Sequence, residues 1–129
     1  MCVSDRRKVF SASDCASVAR DQLLGFRNAG WYWLHAYAVM PDHIHVLLKL
    51  IGTNRPLGKV VAVLKSAILF RVRALGTDFV WQDGFHDYVL RDNEDGDEIV
   101  AYILANPSRA GLVGQDEQYP YCGIVDRYR

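Results

Sequence analysis

The chain has 129 residues, half of them hydrophobic, and its 15 basic and 15 acidic side chains give a formal net charge of zero. This length and composition predict a single domain, residues 1–129, with one apolar core. Zero net charge excludes a global electrostatic argument for a nucleic-acid partner, so such binding would depend on local patches. The three scattered cysteines favour a reducing, cytoplasmic location, and the apolar runs are too short for a membrane span.

A helix and a hairpin are predicted in the first half of the chain. Ser13 suits the N-cap of the helix, and Asn28-Ala29-Gly30 ends it. Residues 31–39 are aromatic and β-branched, which is typical of a strand. A turn at Met40-Pro41-Asp42 then leads into a second strand, His43–Leu50. Its even-numbered residues form the better core face, so the odd-numbered face should be partly open.

The second half is predicted to hold two more helices. An apolar stripe at helical spacing indicates a helix over residues 56–75. Short extended pieces at 79–81 and 86–90 flank the Asp83-Gly84 turn, and a final helix starts near Asn93. That helix should end at Asn106, because a following proline disfavours helical geometry. The sum is an α+β fold with helices packed on an antiparallel sheet.

Two histidines, His43 and His45, lie two residues apart on the second predicted strand. Alternate strand residues share a face, so their imidazoles stand side by side and form half of a metal site. The alternative is a pair of half-exposed strand histidines that bind no ligand.

Tyr102 and Asn106 lie four residues apart on the last predicted helix and so share a face. Taken alone, Tyr102 fits a core aromatic and Asn106 fits a cap for the last helical turn. Together with the two histidines, these residues predict a metal site with a nucleophile beside it. Two imidazoles and an amide oxygen form an open coordination sphere, and a neighbouring phenol can attack a phosphodiester.

The motif His43-Ile44-His45 resembles the His-hydrophobe-His motif of the single-tyrosine transposases, also called HUH nucleases. Further motifs, in the same order, are similar to those of the REP-associated tyrosine transposases. These are residues 36–45, Lys65-Ser66, residues 81–87, residues 90–92, residues 102–113 and Tyr119-Pro120-Tyr121. The resemblance runs from about Arg6 to Tyr121.

This resemblance implies a ferredoxin-like antiparallel sheet and a role for each site residue. His43, His45 and Asn106 would hold Mg or Mn, and Tyr102 would be the nucleophile. The implied substrate is single-stranded DNA beside hairpins formed by repetitive extragenic palindromes (REP). The implied intermediate is a 5′-phosphotyrosine.

Five further residues follow from the same resemblance and from their charge. Lys65, Arg91 and Arg109 are candidate DNA contacts, with an ordinary solvated surface as the alternative. Asp42 and His86 are candidates to orient the metal ligands.

The family's usual first strand is not visible in the sequence. Three explanations stay open: a misassigned start, a substitute strand within residues 1–10, or a decayed copy. We therefore expect a monomer or a strand-exchanged dimer. Two rival functions also stay open: a hairpin-DNA-binding module without catalysis, and a small metal-binding protein or hydrolase with no DNA substrate.

Overall fold

The computed structural model describes residues 1–52, 54–85, 96–114 and 117–127. The elements in chain order are α1 (Ser13–Asn28), β1 (Tyr32–Met40), β2 (His43–Leu50), α2 (Leu57–Ala74), α3 (Gly96–Arg109) and β3 (Cys122–Gly123). Helices on an antiparallel sheet confirm the predicted α+β class. Within the described ranges, no helix is both long and apolar enough to span a membrane.

The three labelled strands form one antiparallel sheet in the order β2-β1-β3. The β1–β2 hairpin was predicted to within one residue, and its last register pair sets Met40 opposite His43. Strand β3 was not predicted, because two residues show no alternation. It is held by pairing with Tyr37 and Ala38 and by a 2.8 Å bond from the Val39 amide to the Tyr121 carbonyl.

A β-bulge at His35 exchanges the sheet faces on which the odd- and even-numbered residues of β1 lie. Leu34 pairs with Leu48 and Ala36 with Leu47, so His35 is the extra residue. Before the bulge the even-numbered residues face the main core, and after it they face the opposite side. The bulge therefore places small alanines on the sheet face that carries the histidines.

The two faces of the sheet are covered by different helices. Helices α1 and α2 pack over the main core, which the even-numbered side chains of β2 join as predicted. Helix α3 covers the other face through a small cluster of Ala36, Ala38, Met40 and Ile103. Because alanine side chains are short, α3 can approach the strands closely.

Residues Met1–Ser4 lie between the start of β2 and residues 80–82 and bond to both. Met1 and Ile44 exchange two backbone hydrogen bonds of 2.8 and 3.0 Å, and the Val3 amide donates to the Asp42 carbonyl. On their other side, these residues bond to Val80 and Gln82. The pairing consists of isolated bridges at Cys2 and Val3 and not of a full strand, so the three explanations for the missing first strand stay open.

The start of α1 corrects one prediction. Ala12, not Ser13, is the N-cap residue, and it makes no side-chain cap. The Asp14 carboxylate instead accepts a 2.8 Å bond from the Cys15 amide. An acid in the first turn also suits the helix dipole, so the helix tolerates an alanine cap.

The end of α3 corrects a second prediction. The helix was predicted to stop at Asn106 but continues through Pro107 to Arg109. Pro107 has no amide proton for the Ile103 carbonyl four residues back. The Asn106 side-chain nitrogen supplies a 3.4 Å contact to that carbonyl in its place. The predicted start near Asn93 and the extended piece 86–90 lie outside the described residues.

Candidate metal and nucleophile site

The two histidine side chains of β2 converge on one point. His43 Nε2 and His45 Nε2 are 3.0 Å apart, and the rings are nearly perpendicular at 87°. Two ligands at about 2.1 Å in neighbouring octahedral positions would lie about 3.0 Å apart. This spacing fits a shared divalent cation, and a hydrogen bond between the two nitrogens fits it as well.

Asp42 and Arg6 orient the first of these histidines. His43 Nδ1 donates to Asp42 Oδ1 at 2.5 Å, which leaves the Nε2 lone pair free for a ligand. Arg6 Nε donates to the other carboxylate oxygen at 2.9 Å. Burial opposes the charge of Asp42, but bonds and charge from His43 and Arg6 outweigh it and lower the pKa of this carboxyl. Asp42 is thus hydrogen-bonded to His43, and its role in orienting a metal ligand stays a prediction.

Arg6 is a site residue that sequence reasoning missed. It and Asp5 both have left-handed backbone, with φ of 55° and 57°. This turn brings Arg6 to Asp42 across 36 positions of sequence. An arginine in a basic N-terminal run gives no sequence signal of such a contact.

His45 is held neutral by its surroundings. Burial lowers its pKa to about 4, and the electrostatic influence of His43 and Arg109 acts in the same direction. A neutral imidazole has the lone pair that a metal needs. The charge state of His45 at neutral pH therefore suits metal binding.

Helix α3 brings Tyr102 beside this pair. The Tyr102 and His45 ring centroids are 6.4 Å apart and the rings are nearly perpendicular. Tyr102 is 52% exposed, so it is not the core aromatic that was the alternative. The Arg109 guanidinium lies 4.2 Å from the centre of the Tyr102 ring. The predicted nucleophile is thus close to the predicted ligands.

The Asn106 side chain supports the last turn of α3, which was one of the two positions predicted for it. Its side-chain nitrogen donates to the carbonyls of Tyr102 and Ile103, at 3.1 and 3.4 Å. Its side-chain oxygen, the atom a cation would take, faces away from those carbonyls by the geometry of an amide. The structure therefore brings the two imidazole nitrogens together, and Asn106 as a third ligand stays a prediction. Among the described residues no group of three or more His, Cys, Asp or Glu side chains could hold a metal.

The other predicted side chains divide into two groups. Lys65 donates to the backbone carbonyls of Gln82 and Gly84, and its own carbonyl accepts from the Trp81 indole. Burial lowers the pKa of Lys65. Lys65 therefore holds the 81–84 loop against α2. Arg91 and His86 lie outside the described residues.

A cleft of about 220 Å³ opens beside the histidines. It follows the edge of β2 past Val46 and Leu48, where the pairing with Met1–Ser4 has ended. Its other wall is apolar and comes from Leu57, Val61 and Leu64 of α2, with Phe85 at one side. The site thus lies at the mouth of an open groove.

Comparisons with known proteins identify relatives of the chain. No protein-family model matches it. A Haemophilus influenzae protein provisionally named a REP-associated tyrosine transposase is 27% identical over 97 residues, covering 67% of this chain and 55% of that protein. The REP-associated tyrosine transposase of Escherichia coli is 26% identical over 88 residues, covering 68% and 52%. The chain spans about half the length of these curated relatives.

A solved structure shares the fold. It is described as a REP-associated tyrosine transposase bound to a REP hairpin, with a TM-score of 0.75 and 21% identity. The match covers 94% of this chain and 71% of that one. The chain thus shares the fold of this solved structure, and its sequence is similar to curated proteins that carry the same family name. More narrowly, the chain is a relative of the REP-associated tyrosine transposases, which confirms the resemblance that the motifs indicated.

Proposed function

We propose that the protein is a metal-dependent endonuclease and strand transferase that acts on single-stranded DNA beside hairpins. One observation carries the proposal: two imidazole nitrogens converge at 3.0 Å next to an exposed tyrosine. The named relatives and the hairpin bound in the solved structure support the choice of DNA as substrate.

Tyr102 would act as the nucleophile. Its hydroxyl oxygen attacks the scissile phosphorus, and the bond from phosphorus to the 3′ oxygen breaks. The 3′ oxygen leaves and takes a proton, while the phenol proton passes to the solvent that reaches this exposed ring. The 5′ phosphate stays on Tyr102 as an ester. A 3′ hydroxyl can later attack that ester, which rejoins a strand without another energy source.

His43, His45 and Asn106 would hold Mg or Mn. When bound, the cation supplies Lewis-acid polarisation of the scissile phosphate and orients it. Asp42 keeps the Nε2 lone pair of His43 pointed at the shared position, and Arg6 keeps Asp42 in place. The low pKa of His45 keeps its nitrogen unprotonated.

The first test is covalent capture of DNA. In Mn, the protein should form an adduct with a hairpin-flanked single-stranded oligonucleotide that survives denaturing gels. Tyr102→Phe should abolish the adduct, because it removes the attacking oxygen. Tyr121→Phe, a second tyrosine on the chain, should retain it. An adduct that persists in Tyr102→Phe would overturn the assignment of the nucleophile.

The second test concerns the metal. The double change His43→Ala/His45→Ala should remove Mn binding measured by electron paramagnetic resonance, and adduct formation with it. Unchanged Mn affinity would show that the cation binds at residues other than His43 and His45. Mn binding and turnover of a substrate other than DNA would instead favour a metal-dependent hydrolase.

A second candidate function is hairpin binding without catalysis. The observation in its favour is the position of Asn106, whose amide nitrogen supports the helix around Pro107. This candidate predicts that the protein binds a hairpin oligonucleotide but forms no adduct in Mg or Mn. The adduct assay therefore separates the two candidates directly.

We also propose that the protein acts as a monomer. Met1–Val3 pair with the start of β2 in their own chain, so that part of the edge needs no strand from a partner. Light scattering across a range of concentrations should give the monomer mass. A stable dimer would favour strand exchange instead.

A further inference from the structure

Arg109 makes two contacts with Tyr102. Its guanidinium carbon lies 4.2 Å from the centre of the tyrosine ring, and its Nη2 donates to the Tyr102 backbone carbonyl at 3.0 Å. One planar group thus touches both the ring and the main chain of the same residue. These two contacts fix the ring relative to the helix that carries it.

An exposed tyrosine needs such a restraint. Tyr102 is 52% exposed, and its ring contact with His45 is at a centroid distance of 6.4 Å. A half-exposed aromatic side chain otherwise exchanges between staggered χ1 states within nanoseconds. In-line attack on phosphorus requires one of those states, and small misplacement of a reacting group is costly.

The backbone beneath the ring is supported as well. Pro107 removes one hydrogen bond from α3 just after Tyr102, and Asn106 also donates to the Tyr102 carbonyl. Arg109 and Asn106 therefore hold the same carbonyl from the last turn of the helix. The turn that carries the nucleophile stays regular across a residue that usually ends helices.

We infer that Arg109 is a positioning residue that holds the Tyr102 ring in its reactive orientation. The inference rests on the proposed strand transfer. It differs from the DNA contact predicted from the sequence, because a simple phosphate contact would strengthen binding without changing the rate in the bound complex.

The test separates affinity from rate. Hairpin-oligonucleotide affinity and the single-turnover rate of adduct formation at saturating DNA and Mn are measured for Arg109→Ala and Arg109→Lys. Arg109→Ala should lower the saturating rate by about 100-fold, as expected for misplacement of a reacting group. Arg109→Lys should restore part of that rate, since it keeps the charge and loses the flat contact.

Arg55→Ala is the matched control. Arg55 stacks on Trp31 with its guanidinium 4.1 Å from that ring, at the end of the hairpin away from the histidines. This change also removes one charge and one aromatic contact. Its saturating rate should stay at the wild-type value.

A second readout is independent of activity. Three-bond couplings across χ1 of Tyr102, measured by NMR, should show one rotamer in the wild type and in Arg55→Ala. They should show averaging in Arg109→Ala and less in Arg109→Lys. If Arg109→Ala does not fold, the couplings and rate of Arg109→Lys decide whether Arg109 holds the Tyr102 ring.

The outcomes are distinct. An Arg109→Ala protein with weaker binding but an unchanged saturating rate and unchanged couplings would overturn the inference. Failure of the wild type to form any adduct would remove the proposed function. In that case the couplings still decide whether Arg109 fixes the ring.

Discussion

The two faces of the sheet differ in what their side chains do. The face under α1 and α2 carries large buried side chains such as Tyr32, Leu34 and Val39. The face under α3 carries Ala36 and Ala38 next to two half-buried histidines. The first face can bury much more apolar area, whereas the second leaves room for a helix and for polar groups.

The bulge at His35 makes this difference possible on a single strand. Without it, the residues that follow would face the opposite way, and large side chains would lie under α3. The comparison predicts that stability depends mainly on the first face and the site geometry on the second. Four substitutions test this division, from the largest expected effect to the smallest.

Leu34→Ala should give the largest loss of stability. Leu34 is fully buried on the main core face, so truncation leaves a cavity that costs about 2–5 kcal/mol. The free energy of unfolding in urea measures it. Leu47→Ala on the other face is the control and should cost less, because Leu47 is only partly buried. Equal costs would remove the distinction between the faces.

Ala38→Leu should disturb the site more than the fold. Ala38 is fully buried under α3 and pairs with His45, so a larger side chain pushes the helix outwards. We expect about 1–3 kcal/mol of lost stability together with lost Mn affinity. Ala62→Leu, on the exposed side of α2, should change neither quantity. An Ala38→Leu protein with normal Mn affinity would show that close approach of α3 is not required.

Acid should weaken the edge that β1 shares with the C-terminal segment. Asp126 accepts bonds from Arg27 and from the Leu34 amide, and the Arg27 bond is the main cause of the lowered pKa of this carboxyl. A carboxyl with a lowered folded-state pKa stabilises the fold above its unfolded pKa of about 3.9, and the effect is lost as pH falls through the folded value.

Urea unfolding of Asp126→Asn across this acidic range should therefore show a shallower loss of stability than the wild type. Asp78→Asn is the control. Asp78 also has a lowered pKa, owing to Arg73, but its ion pair is exposed and should matter less. If Asp78→Asn flattened the pH profile more than Asp126→Asn, the C-terminal anchor would be unimportant.

Asp5→Gly should give the smallest change, a gain of at most about 1 kcal/mol. Asp5 has a φ of 57°, a conformation that glycine adopts without steric cost. Asp5→Ala should lower stability slightly, since alanine lacks the polar side chain that helps aspartate in this region. Thermal melts of the two variants should move in opposite directions. A melting temperature that falls in Asp5→Gly would show that the aspartate itself holds the turn.

The hairpin and the face of the histidines were predictable from sequence because they depend on local chemistry. Alternation along residues 43–50 and the Pro-Asp turn determine them. The bulge at His35 and the pairing of Met1–Ser4 were not predictable in the same way, since each depends on partners far along the chain. The same holds for Arg6, whose role depends on a left-handed turn that favours glycine yet contains none.

The proximity of three candidate side chains was predictable from sequence, and the contacts of the other candidates were less so. His43, His45 and Tyr102 lie together as the motifs implied. Asn106 and Lys65 bind backbone carbonyls that no spacing rule reveals. The predicted end of α3 was wrong. The proline rule considers the backbone alone, whereas here the Asn106 side chain supplies the missing donor.

The short pairing of Met1–Ser4 has a consequence for folding. Met1 and Ile44 are 43 positions apart, and Val3 also bridges to Trp81, so both contacts close long loops. Contacts of this range form slowly compared with a local hairpin. The histidine strand should therefore acquire its outer partner late. Until then its edge is open to other chains, which makes aggregation during refolding sensitive to protein concentration.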